Sequence, residues 1–337
     1  MISDVTLRRA GIVDVAKMAG VSRQTVTRAI HDMPGISAET KARVLDAARA
    51  LGYRPSRFGR GLVKHNTITL GLIITDLTNP YFADLASSIA KLATEHGWAL
   101  LLIENALNNT DGIERLRELS VQVDAAVGYF ETDSDTVDDV FGDMPIVTLN
   151  DEYRAGGHAS IDIDFDPGMV ALLEHLRSTG RHHVVMVDEP DHGQPSPRAR
   201  SYVRQSIAVG LEPEIFSAKV EGLAHMQIGI TAADELLRRG SLPDAVVCYN
   251  DAVAIGVLKQ FQLAGLEVPR DCAIVGIDGL AIGTLVTPEL TTLSLDISAI
   301  AASAVDMILS MLQGHRSMTG DELRRTLSHS LVLRKSA

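Results

Sequence analysis

A chain of 337 residues, 46% hydrophobic and 22% charged, is too long for one ordinary core and suits two or three compact units. No segment near the start joins a basic flank to a long apolar run, and no apolar stretch reaches the length of a membrane span, so a globular cytoplasmic protein is expected. The net charge of −12 hides a division: residues 1–65 hold 12 Lys and Arg against 5 Asp and Glu, net +7, which leaves net −19 for the rest. A phosphate backbone attracts such a head, and an acidic body confines the contact to it.

In "IVDVAKMAGVSRQTVTRAI", residues 12–30, Val15, Ala16 and Ala19 share one helical face, Gly20 interrupts, and Val26 and Ala29 resume the spacing after Ser22. Ala16 lets two helices cross closely, Gly20 takes the positive φ of a tight turn, and Ser22 caps the second helix. The pattern predicts a helix-turn-helix that presents Ser22, Arg23, Gln24, Thr25, Thr27 and Arg28 to DNA. Arg suits the guanine major-groove edge, Gln suits adenine, and the hydroxyls reach phosphates or thymine methyls. A third helix, capped by Ser37 and carrying Val44, Ala47, Ala48 and Leu51, ends at Gly52 and closes a three-helix head.

"YRPSRFGRGLVKH", residues 53–65, opens with the helix-stopping Pro55, and Ser56 is placed to cap a short helix from Arg57 to Val63. Gly59 and Gly61 each remove roughly 1 kcal/mol of helix stability relative to Ala, so this hinge is expected to order only on DNA. Leu62 then finds its apolar surroundings at a base step in the minor groove, with Arg57 and Arg60 on phosphates.

From residue 67 the pattern alternates strand-length apolar runs with amphipathic helices. The strands read "TITLGLIIT", "WALLLIE", "AAVGYF", "PIVTLN", "HVVMVD", "DAVVCYN" and "CAIVGID". Helices are expected over 80–96, 167–180, 225–239 and 252–265. The alternation means parallel sheets covered on both faces. Polar residues gather after the strands: Asp76, Asn79, Glu104, Asn105, Asn150, Asp151, Asp188, Asn250, Asp251 and Asp278. The carboxyl ends of parallel strands line the ligand crevice, so these are rim residues, some of which, Asn79 among them, cap the next helix.

Cys248 and Cys272 fall in predicted strands without metal-spaced partners, so buried thiols are expected rather than a zinc site or disulfide. "DIDFDPG", residues 162–168, has apolar residues between its acids and Pro167 before its Gly, so it reads as strand end and helix start rather than a calcium loop. No cofactor and no metal are expected.

Four passages make the chain resemble the lactose repressor/galactose repressor (LacI/GalR) family of bacterial transcription regulators: "VDVAKMAGVSRQTVTRAI", "ISAETKARVLDAARALGYRPSRFGRGL", "DLTNPYFADLASSIAKLATEHGW", and "VPRDCAIVGID" followed by "PELTTL". The resemblance implies a homodimer on a pseudo-palindromic operator, with recognition helices in major grooves, hinge helices in the minor groove, and a small effector in a two-lobed, periplasmic-binding-protein-like α/β core. By that resemblance Arg23 and Gln24 read bases, Arg28 adds a contact and Leu62 intercalates. It also implies an effector site of Tyr81, Phe82, Asn150, Arg200, Asn250 and Asp278, to which the rim adds Asn79, and Tyr249, standing where the family usually has a small residue, is placed to fill part of the pocket. An Arg opposite an Asp suits vicinal hydroxyls.

The expected organisation is a head over 1–55, a hinge over 56–66 and a core over 67–337. Within the core the first lobe takes 67–163 and 295–323, and the second takes 164–293 and 324–335. The expected function is repression of transcription under a small-molecule effector, a sugar or related polyol first; a co-repressor such as a purine or nucleoside is the alternative. An α/β enzyme is the competing class, needing a reactive pair beside Arg200 and Asp278. No heptad tail follows "SHSLVLRKS", which favours a dimer over a coiled-coil tetramer.

Overall fold

The computed structural model describes residues 12–30, 33–51, 67–104, 110–130, 134–142, 144–149, 158–189, 193–217, 225–314 and 323–337. The hinge expectations at Arg57, Arg60 and Leu62, and the effector expectation at Asn150, lie outside these residues. The chain divides into two units, Met1–Thr67 and Ile68–Ala337.

The first unit is three helices: α1 (Ile12–Ala19), α2 (Arg23–Ile30) and α3 (Ala38–Ala50). Its core joins Val15, Ala16, Ala19, Val26, Ala29, Val44, Ala47 and Ala48, all buried. Most of these are Ala, which lets three short helices pack at close range. Gly20 turns the chain at φ +65°, and Arg43 Nε donates to the Ala19 carbonyl at 3.1 Å, placing a cation on the negative end of α1.

The second unit holds two six-stranded sheets. The first lobe begins with β1 (Thr69–Ile74), α4 (Pro80–Glu95), β2 (Ala99–Glu104), α5 (Thr110–Ser120), β3 (Ala125–Gly128), α6 (Ser134–Phe141), β4 (Ile146–Leu149) and β5 (Ala159–Asp164). The second lobe follows with α7 (Asp166–Ser178), β6 (Val184–Asp188), α8 (Pro197–Ala208), β7 (Glu214–Ser217) and α9 (His225–Arg238). It continues through β8 (Ala245–Cys248), α10 (Asp251–Leu263), β9 (Ala273–Asp278) and β10 (Thr291–Ser294). The chain then returns to the first lobe as α11 (Ile297–Leu312) and β11 (Arg324–Ser328), and ends in the second with β12 (Ser330–Val332).

Strand order is β11-β5-β4-β3-β1-β2 in one sheet and β12-β10-β9-β8-β6-β7 in the other. All pairs run parallel except β10 with β12. In β1, Leu70, Leu72 and Ile74 pack toward α4 and α11, while Ile73 packs toward α5 and α6. A strand apolar on both faces is what a doubly covered parallel sheet requires. The second sheet is covered likewise, by α7 and α8 on one face and α9 and α10 on the other.

The expected lobe boundary at 323/324 is corrected. Arg324–Ser328 pair in register with Ser160–Asp164 of the first sheet, so the third crossing falls at His329. β11 is "RRTLS", an edge strand of alternating exposure with one apolar residue, and carries no apolar run to announce it.

Candidate functional site

In the head, Arg23 and Gln24 open α2 and are exposed, and Thr25, Thr27 and Arg28 are half-buried. Ser22 Oγ accepts from Thr25 N–H at 3.1 Å and lies 2.9 Å from Thr25 Oγ1, so its hydroxyl caps the helix. Thr27 Oγ1 donates to the Arg23 carbonyl at 3.1 Å. Local bonds engage the short hydroxyls and leave Arg23 and Gln24 as the long outward side chains of the first turn.

In the second unit, strand ends and helix starts from both lobes converge. From the first lobe, β1 leads to Asp76 and then to Asn79, whose Oδ1 accepts from Tyr81 N–H at 3.0 Å to cap α4. Gly128, at φ +153°, ends β3 where an added Cβ would stand 2.1 Å from the Ile73 carbonyl oxygen. Only glycine fits that approach, and Tyr129 follows with its N–H on the same carbonyl at 3.1 Å. Tyr81 and Tyr129 join hydroxyls at 2.6 Å, and Phe82 meets both rings edge-on at 5.2 and 5.4 Å.

From the second lobe, β9 ends at Asp278, 2% exposed and held at φ +113°, a conformation Asp and Asn tolerate better than most residues. Arg198, in the first turn of α8, brings Nη2 to 3.4 Å from Asp278 Oδ1, and its guanidinium lies 4.5 Å from the Tyr249 ring centroid and 5.1 Å from that of Phe165. Asn250 caps α10, accepting from Val253 N–H at 2.9 Å, and its Nδ2 lies 2.7 Å from His225 Nδ1. His225 reaches across to the first lobe, 3.4 Å from Asp76 Oδ2, and stands 3.4 Å from Glu189 Oε2 of its own lobe.

Burial pushes the Asp278 carboxyl up to about 6 against the pull of Arg198 and His225. Burial, then the nearby Asp278, pushes Asp251 up to about 7, even though its carboxylate accepts from Thr292 Oγ1 and Leu280 N–H at 2.6 Å each. Burial likewise raises Tyr129 and Tyr249 to about 12. For Arg198, burial favours the neutral form, but the guanidinium stays charged, with the Asp278 carboxylate 3.4 Å away favouring the cation. Asp278 Oδ2 and Arg198 Nε are buried without a hydrogen-bond partner. An unmatched acceptor beside an unmatched donor, walled by aromatic rings, is a binding arrangement for a polar molecule carrying adjacent hydroxyls or an equivalent donor–acceptor pair.

The structure thus brings Tyr81, Phe82, Tyr249, Asn250 and Asp278 together, with Asn79 beneath them as a cap. Arg200 is not brought to this acid: it is exposed, with Nη1 donating to the Pro195 carbonyl at 2.7 Å, and Arg198, half a turn earlier, stands opposite Asp278. Two residues along a helix is about 200° of rotation, so both cannot face one crevice, and "PRAR" alone does not say which does. Sequence reasoning also passed over Tyr129, Phe165 and His225. Tyr129 was findable as the residue after a strand; His225 carried no signal.

Near Arg198, Ser196 Oγ donates to Asp188 Oδ1 at 2.5 Å and accepts from Ala199 N–H at 3.1 Å. Both residues are 1% exposed, so this pair serves as a helix cap. Among the described residues no group of three His, Cys, Asp or Glu is placed to hold a metal ion, and no helix is long and apolar enough to cross a membrane.

Residues 11–56 match the model of bacterial regulatory proteins of the lacI family, and residues 173–337 match a periplasmic binding protein-like domain. The chain is 30% identical to catabolite control protein A of Priestia megaterium, over 96% of this chain and 98% of that protein. It is 29% identical to the HTH-type transcriptional repressor PurR of Pasteurella multocida, over 97% and 98%. A LacI family transcriptional regulator from Arthrobacter sp. FB24, solved in complex with lactose, superposes with a TM-score of 0.74 at 30% identity, over 81% of this chain and all of that one. The lac repressor dimer bound to operator and the anti-inducer ONPF shares the fold, with a TM-score of 0.73 at 23% identity, over 98% and 99%.

Proposed function

Because the chain belongs to the LacI family of bacterial regulatory proteins, we propose that it represses transcription as a homodimer whose operator affinity is set by a small molecule held at Arg198 and Asp278. Arg23 and Gln24 read bases in successive major grooves, with half-sites about 10 base pairs apart, centre to centre. Arg28 and the hydroxyls of Ser22, Thr25 and Thr27 supply flanking contacts, Arg57 and Arg60 hold phosphates, and Leu62 enters the central minor-groove step. On the effector, Asp278 Oδ2 accepts a hydroxyl, Arg198 donates, and Tyr81, Phe82, Tyr129 and Tyr249 pack on its face, with Asn250 at the edge; Asn150 is retained as a ligand contact on the resemblance alone. The site binds rather than catalyses.

The observation that carries this reading is the unmatched pair, Asp278 Oδ2 and Arg198 Nε, buried at the crevice of the second unit, in a chain whose first unit presents Arg23 and Gln24. A polyol fits the pair through paired directional hydrogen bonds, and the lactose-bound relative is in keeping with it. A purine is the second reading. It is favoured by the ring cluster of Tyr81, Phe82 and Tyr129, and the PurR relatives agree.

Selection from a random double-stranded pool tests the DNA half. The wild-type chain should enrich a pseudo-palindrome, and Gln24→Ala should relax preference at defined positions within it; a uniform loss across sequences would make Gln24 a phosphate contact. Melting in the presence of lactose, other mono- and disaccharides, and purine bases tests the other half, because a ligand selective for the native state raises Tm. Retention of the rise in Asp278→Asn would move the site elsewhere.

A further inference from the structure

Three segments carry the chain between the lobes, at Phe165 after β5, at Leu295 after β10 and at His329 after β11. Two of them touch. The Phe165 ring stacks on the His329 imidazole, centroids 4.7 Å apart and planes 22° from parallel. The backbone sets this up, since β5 and β11 stay in register to their last pair, Asp164 with Ser328, and His329 N–H then points to the Asp164 carbonyl at 3.4 Å. From the second lobe, Gly168 in the first turn of α7 lies where an added Cβ would stand 2.9 Å from the His329 Cβ. Both rings are almost fully buried, Phe165 at 6% and His329 at 4% exposure.

The Phe165 ring also carries the Arg198 guanidinium, 5.1 Å from its centroid. One ring therefore touches the cation of the effector site and the side chain of another crossover. Neither imidazole nitrogen reaches hydrogen-bond geometry with a partner. Burial, then Arg198, pushes His329 down to about 3, overriding the nearby Asp164 carbonyl, so the ring stays neutral. With stacking and packing as its main restraints, its orientation follows Phe165.

We propose that Phe165 and His329 form the relay by which a ligand engaging Arg198 resets the angle between the lobes. A guanidinium drawn toward a ligand withdraws from Phe165, and a shift of that ring disturbs a contact shared by two of the three crossovers. Tightly packed interiors pass such shifts on as discrete rearrangements. The trigger rests on Arg198 as a ligand-binding residue; the stack and its effect on the lobes do not.

The test is a distance between nitroxides on cysteines introduced at Lys91 of α4 and Glu174 of α7, exposed sites on opposite lobes. Cys248 and Cys272 are buried and stay unlabelled. Pulsed electron–electron resonance is read on the full ligand-free chain. Arg198→Met and His329→Leu should displace the mean distance in the same direction, the double variant should go no further than the larger single, and His329→Phe should restore the wild-type distribution. Additive displacement, an unmoved His329→Leu, or a displaced His329→Phe would overturn the relay. If His329→Leu does not fold, Phe165→Leu is read in its place. Failure here is the relay's alone, because failure of the Arg198 site appears in the ligand screen.

Discussion

Asp278→Asn in the ligand-free chain sets stability against function in one substitution. Asp278 titrates at about 6 in the fold, against 3.8 for the unperturbed carboxyl, chiefly through burial. Between those values the native state holds a proton that the unfolded state has lost, so stability falls as pH rises through the window. A gap of about two pH units corresponds to roughly 3 kcal/mol at pH 8. Asn stays neutral, tolerates the φ of +113° at this position, and leaves Arg198 no worse placed than the protonated Asp does. Removing the Asp278 charge also relieves Asp251, which Asp278 helps raise to about 7. Urea denaturation followed by the fluorescence of Trp98, the single tryptophan, packed on the first-lobe core, should find the variant close to wild type at pH 4 and more stable at pH 8 by up to about 3 kcal/mol. The gain should come with loss of the ligand-induced rise in Tm, since Oδ2 is gone. A difference from wild type that does not change with pH would refute the argument.

Arg198→Met should abolish the ligand-induced rise in Tm while Arg200→Met keeps it; the reverse result would return the role to Arg200, as the family resemblance implied. Gly256→Ala would place a Cβ 2.1 Å from the Met226 carbonyl oxygen and 3.1 Å from the Gly229 Cα. Backbone has to move, so the urea midpoint should fall by the equivalent of about 3 kcal/mol, the high end for overpacking, and an unchanged midpoint would mean that α9 and α10 are not in backbone contact.

Much of this architecture was written locally. The small residues at 16, 19 and 29 and the positive-φ glycine at 20 specify the head without help from the rest of the chain, and runs such as "LGLII" declare a doubly covered strand by lacking a polar face. What sequence could not deliver were features set by neighbours distant in the chain. β11 is a strand because Ser160–Asp164 offers it an edge, not because "RRTLS" prefers extension. The Arg198/Arg200 choice depends on how far α8 is rotated against the sheet, which Ser196 fixes by capping the helix while bonded to Asp188. His225 joins the site because α9 starts beside Asp76 of the other lobe, a juxtaposition with no local signature.

The unmatched groups also explain why such a site can switch. A ligand moves a two-state equilibrium only by its difference in affinity for the two states, and turning a hundredfold bias into its reverse takes about 5.5 kcal/mol. A crevice whose acid and guanidinium were already fully bonded to each other would gain little from a newcomer, because each new hydrogen bond would replace an existing one. Here Asp278 offers Oδ2 and Arg198 offers Nε, both buried and unmet, and leaving each such group unmade costs on the order of 1–3 kcal/mol. A ligand that satisfies both, and keeps Asp278 ionised by doing so, recovers a large part of the required difference in the lobe arrangement that closes on it. Filling the crevice with well-packed apolar side chains should therefore give a more stable core that has lost its response, which makes the incomplete hydrogen bonding part of how the protein senses.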